Sequence, residues 1–392
     1  MESLEHFPDL TLADLVFTIK TLRCEEARAE AVKSLEAKIR AGNVCGLYTH
    51  LVDQGVLEGD AAAQESMQKV VNSKLEELRA AIEVAEAAED EIQIIASRIK
   101  LGNYLAEICD REEAEATLTK ILEMTSSSGT KIDVLFTLSR ISFFFRDRKQ
   151  AAEHIAALKP LVEKEGDWER KNRYKVYRGL HLMSVRQFGE AADLLVDSFA
   201  TFTCTELMSY SQVLAFGIVC ASLVLDRPNL KRKIVDSPEV LSMSSDELVP
   251  LTEMTNSLYT CEYASFFIAL LKVKEQVLEP FWALAPHAAH FMREIRCKAY
   301  AQLLESYMAL NLKSMADSFG VSVEFLDRDL SRMIPNKKLN CVVDKVNGVI
   351  VTNRLDHKNA QYQQLIKSGD ALLTILQKYS AAIRLYGNDQ LP

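Results

Sequence analysis

Apolar residues recur along this chain at three- and four-residue steps far more often than at alternate positions, which predicts helices over most of its length. Leu12, Leu15, Val16, Ile19 and Leu22 form the first such stripe, and turn signals follow at Gly42-Asn43 and Gly55. Met67, Val70, Val71, Leu75, Leu78, Ile82 and Ala85 form the second, opposite a face of Glu76, Glu77, Glu83 and Glu86. The pattern predicts one long helix or two between Ala61 and about Cys109, with the acidic cluster Glu89-Asp90-Glu91 as the break.

A loose repeat follows. Glu113-Ala114-Glu115-Ala116-Thr117-Leu118, Gln150-Ala151-Ala152-Glu153-His154-Ile155 and Glu190-Ala191-Ala192-Asp193-Leu194-Leu195 each place a small Ala four residues before a large aliphatic. Each comes after a short polar turn, at Asp110-Arg111, Asp147-Arg148 and Arg186-Gln187. A small residue lets a second helix approach closely, and the aliphatic fills the groove, so the spacing predicts stacked helical hairpins of tetratricopeptide type. Pro228, Pro238 and Pro250 then bracket a polar stretch with Ser242, Ser244 and Ser245, which reads as a junction with short helices. Helical spacing resumes with Leu258, Tyr259, Cys261, Phe266, Phe267, Leu270 and Leu271.

The next hundred residues change in character. Leu312, Met315, Ala316 and Phe319 predict a short helix that Gly320 ends. Ser322 is an N-cap, with Glu324 in the first turn, and Val323, Leu326, Leu330 and Met333 line one face of a second helix ending at Pro335. Leu339, Cys341 and Val343 then alternate, as do Val349 and Val351, around an Asn347-Gly348 turn signal. Helix, tight turn, helix and β-hairpin is the order of a winged helix, and the hairpin offers a sheet edge to a neighbouring strand. A last helix is predicted from Asn359 to Leu385, with Leu365, Leu372, Leu376, Tyr379, Ile383 and Tyr386 close to a 3.5-residue period over its second half. A seam of that kind requires cover, either on its own chain or in a bundle.

Composition supports a folded, mostly α protein. Of 392 residues, 48% are hydrophobic and 26% charged, and Gly and Pro together number only 23. The net charge of −9 disfavours general nucleic-acid binding, and the second winged-helix helix itself carries Glu324, Asp327 and Asp329 against Arg328 and Arg332. Eight scattered Cys without a C-x-x-C pair suit a reducing compartment. The acidic start Met1-Glu2-Ser3-Leu4-Glu5 does not read as a signal peptide, and no apolar run reaches the ~20 residues of a membrane span. The expected location is cytoplasmic and nuclear.

No catalytic constellation emerges, so the chain reads as a non-enzyme. The closest His pair, His287 and His290, lacks further ligands, and no phosphate-binding loop or nucleophile elbow is present. No catalytic residue, cofactor or metal is assigned. One basic stretch stands out, with Arg170, Lys171, Arg173, Lys175 and Arg178 interleaved with Trp168, Tyr174 and Tyr177. It reads equally as a surface for an acidic partner or as a solvated helix face over core aromatics.

Four segments carry a family resemblance: 166–177 (Gly-Asp-Trp-Glu-Arg-Lys-Asn-Arg-Tyr-Lys-Val-Tyr), Ala299 to Tyr307, Gly320 to Asp327, and Asp344-Lys345-Val346-Asn347 with Thr352-Asn353-Arg354. They resemble the PCI-domain subunits of Rpn-seven type in the lid of the 26S proteasome, over roughly residues 90–385. The resemblance implies a right-handed helical-repeat solenoid, a winged-helix PCI module and a C-terminal helix. The expected divisions are 1–90, 91–225 for the repeats, 226–310 for the helical part of the PCI domain, 311–354 for the winged helix and 355–392 for the tail. It also implies a scaffold for ubiquitin-dependent proteolysis whose partners are other PCI subunits, the MPN-domain subunits and a small acidic Sem-one-type subunit. In such a scaffold the wing edge, Leu339 to Val351, and the tail helix would make the contacts. A PCI subunit of the signalosome or of translation initiation factor three, and an independent nucleic-acid-binding winged helix, stay open as alternatives.

Overall fold

The computed structural model describes residues 7–21, 25–57, 60–88, 90–243, 248–353 and 357–388. The helices are α1 (Leu10–Thr21), α2 (Glu25–Gly42), α3 (Cys45–Asp53), α4 (Ala61–Ala87), α5 (Glu91–Ile108), α6 (Arg111–Met124), α7 (Ser128–Phe144), α8 (Arg148–Glu165), α9 (Trp168–Ser184) and α10 (Phe188–Ser198). They continue as α11 (Tyr210–Val224), α12 (Arg227–Leu230), α13 (Pro238–Ser242), α14 (Val249–Thr260), α15 (Tyr263–Val273), α16 (Ala288–Ser306), α17 (Leu312–Phe319), α18 (Val323–Met333) and α19 (His357–Asn388). Three short strands are β1 (Ala309–Asn311), β2 (Cys341–Asp344) and β3 (Val349–Thr352). Two compact units result, Met1–Arg296 and Cys297–Pro392, and the division falls within α16.

In the first unit the expected repeat is a series of hairpins. Helix α5 packs on α6, α7 on α8, and α9 on α10, which also packs on α11. Each reversal uses the same device. Cys109, Arg146 and Arg186 take left-handed φ values of 64°, 59° and 72°, one residue before the next helix's N-cap. Asp110 and Asp147 then cap α6 and α8 by accepting backbone N–H bonds from the first turn. Asp90 caps α5 in the same way, which is why the acidic cluster breaks the helix there; Glu89 lies outside the described residues, as do Ser244, Ser245 and Arg354. Ala114, Ala151 and Ala191 are all buried, as are Leu118, Ile155 and Leu195. Gly102 and Gly179 stand sixteen residues before Leu118 and Leu195, and a Cβ at either would lie 2.7 or 2.8 Å from that leucine's Cδ2. Buried Ser139 keeps the same sixteen-residue offset from Ile155. Close approach at a glycine is therefore the contact shared by the first and third hairpins.

Helix α1 packs on α7. It carries Asp14, whose carboxyl burial pushes up to about 7; the Arg146 guanidinium opposes that shift and Asp9 adds to it. Between about pH 4 and 7 the folded chain holds a proton here that the unfolded chain has lost, so stability falls as pH rises through that window and levels off above it. Asp14→Asn removes that slope and is expected to raise stability at pH 8 by about 1–3 kcal/mol, allowing for solvent screening. Urea midpoints of the two proteins compared at pH 5 and pH 8 check it, and parallel pH dependences would rule the assignment out.

The second unit contains the winged helix. Asn311 caps α17, Gly320 at φ 64° ends it, and Ser322 Oγ accepts from Phe325 N to start α18. Leu326, Leu330 and Met333 are buried along one face of α18, beside Met315, Ala316 and Phe319 of α17. Asp344 Oδ1 accepts from the backbone N–H groups of Val346 and Asn347, and Gly348 at φ 64° completes the hairpin turn. The sheet has three strands rather than two. Its order is β1-β3-β2, all antiparallel, with Leu310, Ile350 and Val343 in one row and Ala309, Val351 and Val342 in the next.

Candidate interaction surfaces

The tail helix α19 spans 32 residues, and every side chain described along 358–384 is exposed. Leu365, Leu372 and Tyr379 recur every seven residues, and so do Tyr362, Leu376 and Ile383 with Gly369 between them. The two series interleave as the a and d positions of a heptad. The expected seam of Leu365, Leu372, Leu376, Tyr379 and Ile383 is thus present and uncovered. The side chain of Tyr386 lies outside the described residues. Ile366, Leu373 and Ile375 flank the seam, outside its period, and are exposed as well. An apolar face widened beyond a and d suits a helix inside a bundle of several helices more than one in a two-stranded coil.

The sheet corrects the expected wing edge. Strand β3 is central, paired on both sides, so Val349 and Val351 do not lie on a free edge. They also face opposite to Cys341 and Val343, because the register sets Val343 against Ile350 and Cys341 against Thr352. Ile350 is the buried residue of β3, while Val351 is exposed and Val349 half-buried. Cys341 and Val343 belong to β2, an outer strand, where Cys341 is buried and Val343 half-buried on the same face as Ile350; Leu339, just before the strand, is buried too. The outer edges belong to β2 and β1, and the exposed apolar face carries Val342 and Val351. The carboxylates of α18 are partly engaged at home. Asp327 takes Lys345 Nζ at 2.8 Å, and Asp329 accepts from Tyr300 at 3.5 Å.

The basic stretch turns largely inward. Arg170 on α9 grips Asp133 of α7 through Nε and Nη2 at 3.2 and 2.8 Å, and Asp167 through Nη1 at 3.0 Å. Arg173 Nε donates to Glu206 Oε1 at 2.7 Å, with side-chain exposures of 6% and 0%. Its guanidinium also stacks over the Phe136 ring at 4.6 Å. Arg178 pairs with Glu190 at 3.2 Å. Arg173 is accordingly a core residue and cannot belong to a surface for an acidic partner. Lys171 is exposed and Lys175 half-buried. Of the interleaved aromatics, Tyr174 and Tyr177 are core and Trp168 is 63% exposed. The His pair is also occupied. Arg186 Nε donates to His287 Nδ1 at 3.3 Å, which leaves Nε2–H to donate to the Ser184 carbonyl at 2.8 Å, so the ring is neutral.

Comparison with known proteins gives these surfaces a context. A family model described as 26S proteasome subunit RPN7 matches residues 60–233, a PCI domain matches 267–354, and the RPN7/PSMD6 C-terminal helix of the 26S proteasome regulatory subunit matches 361–383. The 26S proteasome regulatory subunit RPN7 of Saccharomyces cerevisiae is 46% identical over 389 residues, covering 93% of this chain and 91% of its own. The chain belongs to the RPN7 family. An Arabidopsis thaliana homolog of 26S proteasome non-ATPase regulatory subunit 6 is 39% identical, over 96% of this chain and 97% of its own. The Dictyostelium discoideum subunit 6 is 37% identical, over 98% and 100%. The RPN7 match begins after α1–α3, at the start of α4, and the C-terminal helix match coincides with the exposed seam of α19. Among the described residues, no helix is long and apolar enough to cross a membrane.

Proposed function

We propose that this chain is a non-catalytic scaffold of the 26S proteasome regulatory-particle lid, serving ubiquitin-dependent protein degradation in cytoplasm and nucleus. The observation that carries the proposal is the uncovered heptad seam of α19, lying within the segment similar to the family's C-terminal helix. A face with that many large apolar side chains is a binding surface awaiting helices of other subunits. Those helices would come from PCI subunits and the MPN-domain subunits. The outer edges of β2 and β1 offer backbone groups for edge-to-edge contact between PCI modules. A small acidic Sem-one-type partner would meet Lys171, Lys175 and the outer sides of Arg170 and Arg178, with Trp168 as the exposed aromatic anchor.

Gentle purification of the tagged protein from its own cells, read by native mass spectrometry, tests this. The expected result is co-purification with a proteasomal ATPase ring and the 20S core. A complex lacking both but carrying cullin-directed deneddylase activity would transfer the chain to the signalosome.

A further inference from the structure

The first compact unit contains a cavity of about 140 Å³ between α1, α11 and the segment following α15. One ordered water needs only about 10–15 Å³ measured in this way. Ala215 and Phe216 of α11 line it together with Val277 and Phe281, and the Phe216 and Phe281 rings meet edge to face at 4.5 Å. Asp14 and Thr18 of α1, Gln212 of α11 and exposed Gln276 are its polar lining, and Asp14 is the charged group among them. Asp14 Oδ1 is buried with no hydrogen-bond partner. The neighbouring cation does not meet that need. Arg146 Nη2 donates to the Ala13 carbonyl at 3.2 Å, and its guanidinium lies over the Phe17 ring at 5.0 Å.

We propose that this cavity binds a protonated primary amine on a short apolar stem, with Asp14 as its counter-ion. The chemistry of the lining selects that class. An ammonium supplies hydrogen-bond donors and the opposite charge to a carboxylate that is poorly solvated. Aromatic walls attract the same cation through their ring faces and accept the stem. An anion would be repelled by Asp14, and a neutral apolar molecule would leave the carboxylate unmatched. The ammonium belongs to a free amine or to a lysine side chain of another protein.

The test uses the full chain with labelled alanine and valine methyl groups, observed by NMR at about pH 8, where Asp14 is mostly ionised and an alkylamine is protonated. Titration with n-butylammonium chloride is expected to give saturable shifts at Ala215 and Val277. Affinity should fall at least tenfold in Asp14→Asn, and 1-butanol should bind at least tenfold more weakly than the amine. Equal binding of the alcohol, unchanged binding in a folded Asp14→Asn, or no saturable shift would each overturn the proposal. Ala215→Leu fills the cavity with Asp14 in place and should abolish the Val277 shifts; their persistence would overturn the location even if Asp14→Asn fails to fold. Displacement of butylammonium by Nα-acetyl-lysine methylamide would point to a lysine side chain as the source, and its exclusion to a free amine.

Discussion

Replacing Leu372, Leu376 and Ile383 together by Gln is expected to leave the purified chain folded and to prevent its incorporation into the lid. The three side chains are 60%, 55% and 67% exposed, so their removal takes nothing from a core. Gln is a good helix former, so α19 persists. In a bundle the account reverses. Burial of each large aliphatic is worth roughly 1.5–3 kcal/mol, and three of them together on the order of 5–9 kcal/mol. At about 1.4 kcal/mol per tenfold, that weakens association a thousandfold or more. Circular dichroism checks the fold, and recovery of the tagged variant in intact proteasomes checks assembly. Normal incorporation of the triple variant would refute the bundle.

The second large effect lies in the core. Arg173→Leu should destabilise the first unit by about 3–5 kcal/mol, because it leaves Glu206 charged and buried without its partner. Glu206 already has one unsatisfied oxygen, Oε2, and the loss of Arg173 removes the donor to the other. Tyr177, whose hydroxyl lies 3.4 Å from Oε1, is a weaker substitute. Arg173→Leu combined with Glu206→Leu should recover most of the loss, since well-packed apolar groups often replace a buried pair at little cost. Urea unfolding of the single and double variants separates the two. A single variant within about 1 kcal/mol of the parent would mean that water reaches Glu206.

Features set by local rules were readable in the sequence. The hairpin repeats follow from an N-cap and an Ala-aliphatic spacing, both contained within a dozen residues, and Ala114, Ala151 and Ala191 are buried where that spacing puts them. The Ser322 cap and Gly320 stop fixed the turn between α17 and α18 for the same reason. Features set by distant partners were not. Arg173 reads as part of a basic surface until folding brings up Asp133 from α7 and Glu206 from beyond α10. In Val349-Ile350-Val351 all three residues are apolar, so alternation cannot choose a phase; only pairing with β2 selects Ile350 as the buried one. The tail seam was legible because its heptads are regular, whereas Ile366, Leu373 and Ile375 fall outside a two-position repeat.

Strand β1 is the element the sequence concealed, since three residues are too few to show an alternation. It precedes α17 and α18 in the chain yet pairs with β3, which follows them: Ala309 lies opposite Val351 and Asn311 opposite Val349. An excised winged helix beginning at 311 would therefore lack almost all of this strand. The side of β3 that β1 covers would become a free edge, ready to take a strand from a second copy. Such a fragment is predisposed to exchange strands and dimerise, and a self-contained winged helix has to begin upstream of Ala309.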